Sequence, residues 1–243
     1  MKTTSREVQR VRHELKMRDV TVTEIRQLGN NMLGITFQGP SLADFVSLSF
    51  DDHVKFIFKD DTGEVVRRDY TPVHYDKQRC TLTLEFALHA HGAATDWARR
   101  AQVGTTAIIG GPKGSMIVPT NYDWHLLVGD LSSLPAITRR LQELPASTKA
   151  IAVVQINDVS DIRDIPSAAN IDLQWVTTSE DVFAYIRDLD LPAGDGYTWA
   201  AGEGNTMKQL RTILINEKDL PSSQLRIAAY WKQGTSDFHE RLE

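Results

Sequence analysis

The chain has 243 residues, 41% apolar and 24% charged, with a formal net charge of −5; this is ordinary for a soluble globular protein of one large domain or two small ones. The acidic balance disfavours a general nucleic-acid binder, and an anionic ligand needs a local basic patch against the average field. One cysteine, Cys80, excludes a disulfide framework and a cysteine-rich metal or iron–sulfur site; with no apolar core of signal-peptide length in residues 1–20 and no membrane-length apolar run, a reducing cytoplasm is the expected location.

Two textures divide the chain near residue 120. Before it, apolar residues alternate: Val20 and Val22, then Leu33, Ile35 and Phe37, then Val54, Phe56 and Phe58, then Leu82, Leu84, Phe86 and Leu88. Period two, with Gly, Pro and Asp between the runs, predicts half-buried antiparallel strands closing into a six-stranded type of β-barrel over residues 1–119, with 1–16 as an N-terminal extension. One helix, "AATDWARRAQ", interrupts them, with Gly104 as its expected C-cap. After residue 120 come "HLLVGD", a helix with Leu134, Ile137, Leu141 and Leu144 at helical spacing, and the run "AIAVVQI", apolar almost throughout. The strand "IDLQWVTT", the helix "EDVFAYIRDL", the strand "YTWAAGEG", the helix "TMKQLRTILINE" and the strand "LRIAAYWK" complete the chain. Strands alternating with helices predict a doubly wound parallel-sheet α/β domain over 120–243, whose ligand would sit at the carboxyl edge of the sheet.

Three stretches carry the candidate chemistry. "RRDYTPVHYD" offers the cation of Arg68, the ring of Tyr70 and the hydroxyl of Thr71, expected on one face of an extended chain. That is either an ordinary strand end or a cradle for a flat ligand that is anionic at one end. "HAHGAATDWA" puts Gly92, Ala94 and Thr95 at a helix start, either a plain capped helix or a seat for a pyrophosphate. "GGPKGS" is a tight turn in which Lys113 either reaches an anion or is simply solvated. His89 and His91 are close in sequence, but no carboxylate or cysteine completes a metal set.

The order of these motifs resembles the ferredoxin–NADP-reductase superfamily. The segments "DDHVKFIF", "RDYTPVHYD", "LEFALHAHGAATDWARRAQVGTTAIIGGPKGS", "LLVGDLSSLPAITRRLQELP", "WAAGEGNTMKQLR" and "AAYWKQG" resemble more closely its siderophore-interacting proteins, cytoplasmic flavin-dependent ferric-siderophore reductases. The resemblance implies FAD as cofactor, held by Arg68, Tyr70 and Thr71, with Tyr70 and Thr71 against the reactive ring. Glu85 and His89 would lie beside the cofactor, Gly92, Ala94 and Thr95 under its pyrophosphate with Trp97 packing behind, and Gly111, Pro112 and Lys113 would close the site. It implies a ferric siderophore as substrate, an anionic catecholate type fitting best, met by Lys55, Lys232 and Arg226 with Trp231 stacking. NAD(P)H is the implied donor. "GDLSSLPA" lacks the superfamily's glycine-rich NADP loop, and Asp130 is a poor neighbour for a pyrophosphate, so a weak nucleotide site or another carrier such as ferredoxin stays open. A monomer without protein metal ligands, nucleic acid or membrane partner is expected. The other readings are a flavin reductase or ferredoxin-linked oxidoreductase without siderophore substrate, and a ferric-siderophore-binding protein without turnover.

Overall fold

The computed structural model describes residues 6–89, 92–234 and 240–242. The chain divides into two compact units, Met1–Val118 and Pro119–Glu243.

In the first unit the strands are β1 (Gln9–Arg12), β2 (Met17–Gln27), β3 (Met32–Gln38), β4 (Val54–Lys59), β5 (Val65–Tyr70), β6 (Pro72–Asp76), β7 (Thr81–Ala87), β8 (Thr106–Gly110) and β9 (Gly114–Ile117), with helix α1 (Ala93–Arg100) between β7 and β8. Seven of them form one curled antiparallel sheet in the order β5-β4-β8-β2-β3-β7-β6. The expected barrel is a half-barrel, with β5 and β6 as its two edges. These edges are consecutive in sequence, joined through Thr71 alone, so one residue turns the chain from one edge to the other. The alternation seen in sequence is the inward face: Val20, Val22, Ile35, Phe37, Phe56, Leu82, Leu84 and Phe86 make one buried core. Part of the N-terminal extension belongs to this unit, since β1 pairs antiparallel with β9.

Helix α1 is held by Trp97, which is buried against the rings of Phe37, Phe56, Phe58 and Phe86 at 4.7–6.2 Å between centroids. Gly104 is not its C-cap. The helix ends at Ala101, whose N–H donates to the Trp97 carbonyl, and the Gly104 N–H instead donates to Val22 at the entry to β8.

The second unit contains β10 (Trp124–Asp130), α2 (Leu134–Glu143), β11 (Lys149–Gln155), β12 (Asn170–Val176), α3 (Ser179–Asp188), β13 (Gly196–Glu203), α4 (Gly204–Asn216), β14 (Leu225–Trp231) and β15 (Glu240–Arg241). The sheet order is β12-β11-β10-β13-β14-β15, parallel except for β15. The order reverses between β10 and β13, the switch point where open α/β sheets form a crevice outside their carboxyl ends. Trp124, Leu126 and Val128 pack with α3 and α4 through Val182, Phe183, Met207 and Leu210. β11 is buried almost throughout, as a central parallel strand covered on both faces must be.

Candidate functional site

The first unit brings Arg68, Tyr70 and Thr71 to the corner between β5 and β6. Alternation along β5 puts Arg68 and Tyr70 on one face, half-buried, with Arg67 and Asp69 on the exposed one. Thr71 does not share their strand; it is the buried residue at the break between β5 and β6. The Tyr70 ring lies 4.4 Å from Phe86 and 5.7 Å, edge-on, from Phe56. Burial pushes its phenol above the ordinary range, outweighing the opposing pull of the Arg68 cation. Tyr70 therefore offers a neutral ring surface and is poorly suited to exchange a proton at neutral pH. The Arg68 guanidinium donates to the Arg67 carbonyl at 2.8 Å, which lays it along the strand.

Phe56 and Phe86 touch both Tyr70 and Trp97, so one aromatic cluster ties the Thr71 corner to α1. Gly92 opens that helix with φ of +153°, a conformation that side-chain-bearing residues rarely adopt, and among the described residues no side chain caps the helix there. A Cβ added at Gly92 would meet only Thr95 Oγ1, at 3.9 Å, so the approach to the first turn is open. Thr95 is buried and accepts a hydrogen bond from the His89 N–H at 3.3 Å, which fixes the exposed His89 beside the helix start. Ala94 is half-buried in the first turn. Glu85 lies on β7 opposite Gly34, one residue from Leu84, the neighbour of Pro72. His91 lies outside the described residues.

The Gly-Pro turn follows β8. Gly111 is pinned by its own N–H to the Lys16 carbonyl and by the buried Arg18, which donates to the Gly111 carbonyl, both at 2.9 Å. Lys113 is exposed and its carbonyl accepts from His13. Just beyond, Ser115 donates 2.6 Å to the buried Asp52, which also accepts from Ser47, Leu48 and Ser49. Lys55 sits on β4 in register between Asp69 and Gly110, so it belongs to this neighbourhood. Its ammonium is engaged by the Asp69 carboxylate at 2.7 Å. The motif "RRDYTP" thus supplies, on its exposed face, the partner of the very cation expected to meet the substrate; local alternation marks Asp69 as exposed but gives no sign of a partner on another strand.

In the second unit Trp231 ends β14 and Lys232 follows it, at the carboxyl edge of the sheet. Arg226 is not brought to them. It stands near the start of β14, and the six residue steps from Arg226 to Lys232 span about 20 Å of strand. Two carboxylates absent from the expected set occupy the switch point. Asp130 accepts from the Trp231 indole at 2.8 Å and from the Glu203 N–H at 3.1 Å. Glu203 caps α4, its Oε2 accepting from Asn205 and Thr206 at 2.6 and 2.9 Å. Those are the amides that a nucleotide phosphate would use, so the helix start is already engaged by the chain's own carboxylate.

The first unit matches the siderophore-interacting FAD-binding domain model over residues 21–67 and 60–116, and the second matches the siderophore-interacting protein model over 122–234. The chain belongs to the siderophore-interacting protein family. Among its relatives, the NADPH-dependent ferric-chelate reductase of Escherichia coli is 32% identical, over 95% of this chain and 99% of that protein. The ferric vibriobactin reductase of Vibrio cholerae is 26% identical, over 88% and 90%. Among solved structures, a siderophore utilization protein from T. fusca superposes with a TM-score of 0.89 at 26% identity, covering 96% of this chain and 98% of that one. Flavohemoglobin from Malassezia yamatoensis, at 14% identity, shares the fold with a TM-score of 0.67, covering 88% of this chain and 60% of that one. The residues of the first unit fit the family's FAD: a neutral ring at the Thr71 corner, a cation beside it and an open helix start that no described side chain caps, tied to the same aromatic cluster.

Proposed function

We propose that the chain is an FAD-dependent reductase of ferric siderophores that takes electrons from a nicotinamide nucleotide and releases iron as iron(II). The observation that carries this reading is the single aromatic cluster joining the Arg68–Tyr70 face to the open start of α1, a ring surface and an anion seat held by one rigid core. The names of the Escherichia coli and Vibrio cholerae relatives support, respectively, a nicotinamide donor and a siderophore acceptor.

In this reading Arg68 and the first-turn amides of Ala94 and Thr95 would hold the phosphates of FAD, and Tyr70 and Thr71 its ring system, with Glu85, His89, Gly111 and Lys113 around them. FAD, when bound, supplies the exchange between a two-electron donor and a one-electron acceptor. The protein's own part is position and field. The protonated Tyr70 phenol adds no charge where the ring would lie. Lys232 with Trp231, at the carboxyl edge of the second unit's sheet, would meet an anionic chelate, a tris-catecholate carrying the charge that suits a cation beside a ring best; in the first unit Lys55 is the cation proposed for the same kind of ligand, partly neutralised by Asp69. Iron(III) is substrate here; as iron(II) it binds hard oxygen donors far less tightly and leaves without needing a protein ligand. A monomer in the cytoplasm completes the reading, and the half-buried free thiol of Cys80 suits a reducing compartment.

The test is anaerobic. The purified protein should show a flavin absorption spectrum, bleach on addition of NADPH or NADH, and deliver iron(II) to a ferrous trap from a ferric tris-catecholate. A colourless protein that fails to bind added FAD would refute the flavin assignment. A flavin that bleaches yet never delivers iron(II) would refute the siderophore reductase.

A further inference from the structure

Asp130 reaches across the sheet. It ends β10, and the indole it engages ends β14, with β13 between them. Two strand spacings are about 10 Å, more than a carboxylate spans over an ordinary residue. Gly202 makes the passage possible: a Cβ there would lie 2.7 Å from Asp130 Oδ2, so any side chain would push the carboxylate away. The register of β13 against β14 slips beside it, between Gly202 and Glu203, and brings Glu203 level with Trp231.

The carboxylate is saturated where it stands. Its Oδ2 accepts from Trp231 Nε1 and the Glu203 N–H, and its Oδ1 accepts from the N–H and hydroxyl of Ser132. Four donors fix its plane, and through that plane the orientation of the indole. A second, longer tether follows: the Gln233 N–H donates to Glu203 Oε1 at 3.4 Å, while the other oxygen of Glu203 is held by α4. The segment 231–233 is therefore held on both sides of Lys232.

We propose that Asp130 is a positioning residue for the acceptor: by holding the Trp231 indole across Gly202 it pre-organises Trp231 and Lys232 as one aromatic and cationic surface for an anionic, aromatic iron chelate. This rests on the reading of Trp231 and Lys232 as substrate-facing. Asp130 does not itself touch the chelate. Without the tether, binding must first immobilise the indole and the adjoining lysine, and affinity falls by the cost of ordering them.

A double-mutant cycle tests this on the flavin-loaded protein, with gallium(III) tris-catecholate as a redox-inert probe titrated by calorimetry. At about 0.5 M salt, where the loss of the Asp130 charge is largely screened from the anionic chelate, Asp130→Ala is expected to weaken binding about fivefold, the cost of freezing one side chain. Trp231→Phe, which keeps a ring and loses the N–H, is expected to weaken it at least as much. In the Trp231→Phe background, Asp130→Ala should change affinity less than twofold, because the tether it removes is already gone. Independent, additive losses would overturn the proposal, as would unchanged affinity in Asp130→Ala. Should Asp130→Ala fail to fold, Asp130→Val, which keeps most of the bulk and has no acceptor for the indole N–H, enters the same cycle and is judged by the same criterion. Wild-type protein that binds the gallium chelate but never reduces the iron complex would sink the reductase reading and leave this one standing; wild-type protein that does not bind the gallium chelate would overturn this one.

Discussion

Asp69→Asn should turn Lys55 from a neutralised cation into a working one. In the folded chain the Lys55 ammonium and the Asp69 carboxylate are 2.7 Å apart, with 44% and 29% of their side chains exposed. A pair this wet contributes about 0–1 kcal/mol to folding, so the variant should fold with nearly unchanged stability. Its effect on an anion is larger. A negative group about 4 Å above the ammonium would lie about 7 Å from the carboxylate, and at an effective dielectric constant of about 40 each ligand charge is repelled by about 1 kcal/mol. Removing that repulsion should lower KM for an anionic ferric catecholate about fivefold to tenfold at low ionic strength. A neutral ferric chelate should be affected less than twofold, and at about 0.5 M salt, where screening acts over only a few ångströms, the difference should largely disappear. The assay is steady-state iron(II) release to a ferrous trap at two salt concentrations with both chelates. Equal gains for anionic and neutral chelates, or no gain for either, would show that Lys55 does not face the substrate.

Arg68→Ala should lower the flavin content of the purified protein severalfold through loss of a charge-assisted phosphate contact, read from the ratio of flavin to protein absorbance; unchanged content would remove Arg68 from the cofactor site. Trp97→Ala should destabilise the first unit by about 3–5 kcal/mol, because a buried indole in contact with Phe37, Phe56, Phe58 and Phe86 is deleted. Urea unfolding followed by aromatic circular dichroism measures it, and a loss below about 1 kcal/mol contradicts the packing argument. In the second unit the fully buried His125 has its pKa pushed down to about 3, first by burial and then by the neighbouring Arg140 cation. The unfolded chain takes up a proton near pH 6.5 and the folded one does not, so stability is complete above about pH 6.5 and falls by about 1.4 kcal/mol per pH unit as the pH drops toward 5. His125→Phe should flatten that slope in urea titrations between pH 7 and 5, and a slope left intact would assign it to other groups.

The local pattern of the chain determined a good deal. Alternation at Leu82, Leu84 and Phe86 is visible because a strand with one buried face repeats every second residue, and those side chains do line the core of the half-barrel. The nearly unbroken apolar run at 150–156 marks a strand covered on both sides, and β11 is that strand. The order of the Arg-x-Tyr-Thr motif, the small-residue helix start and the Gly-Pro turn pointed to the superfamily, and the longer segments from "DDHVKFIF" to "AAYWKQG" pointed to the family to which the chain belongs. What periodicity cannot reach is a partner on another strand. Asp69 meets Lys55 because β4 and β5 pair in one register, and nothing in the ten residues around either one encodes that register. Trp231 and Asp130 are 101 positions apart and meet only because the sheet order sets β13 between their strands and Gly202 leaves room. Arg226 and Lys232, close in sequence, are parted by the length of an extended strand. Sequence repeats report which face of an element is buried, since burial follows from the pitch of a single helix or strand; which charges neutralise or orient one another depends on distances between elements, and those exist only once the sheets have formed.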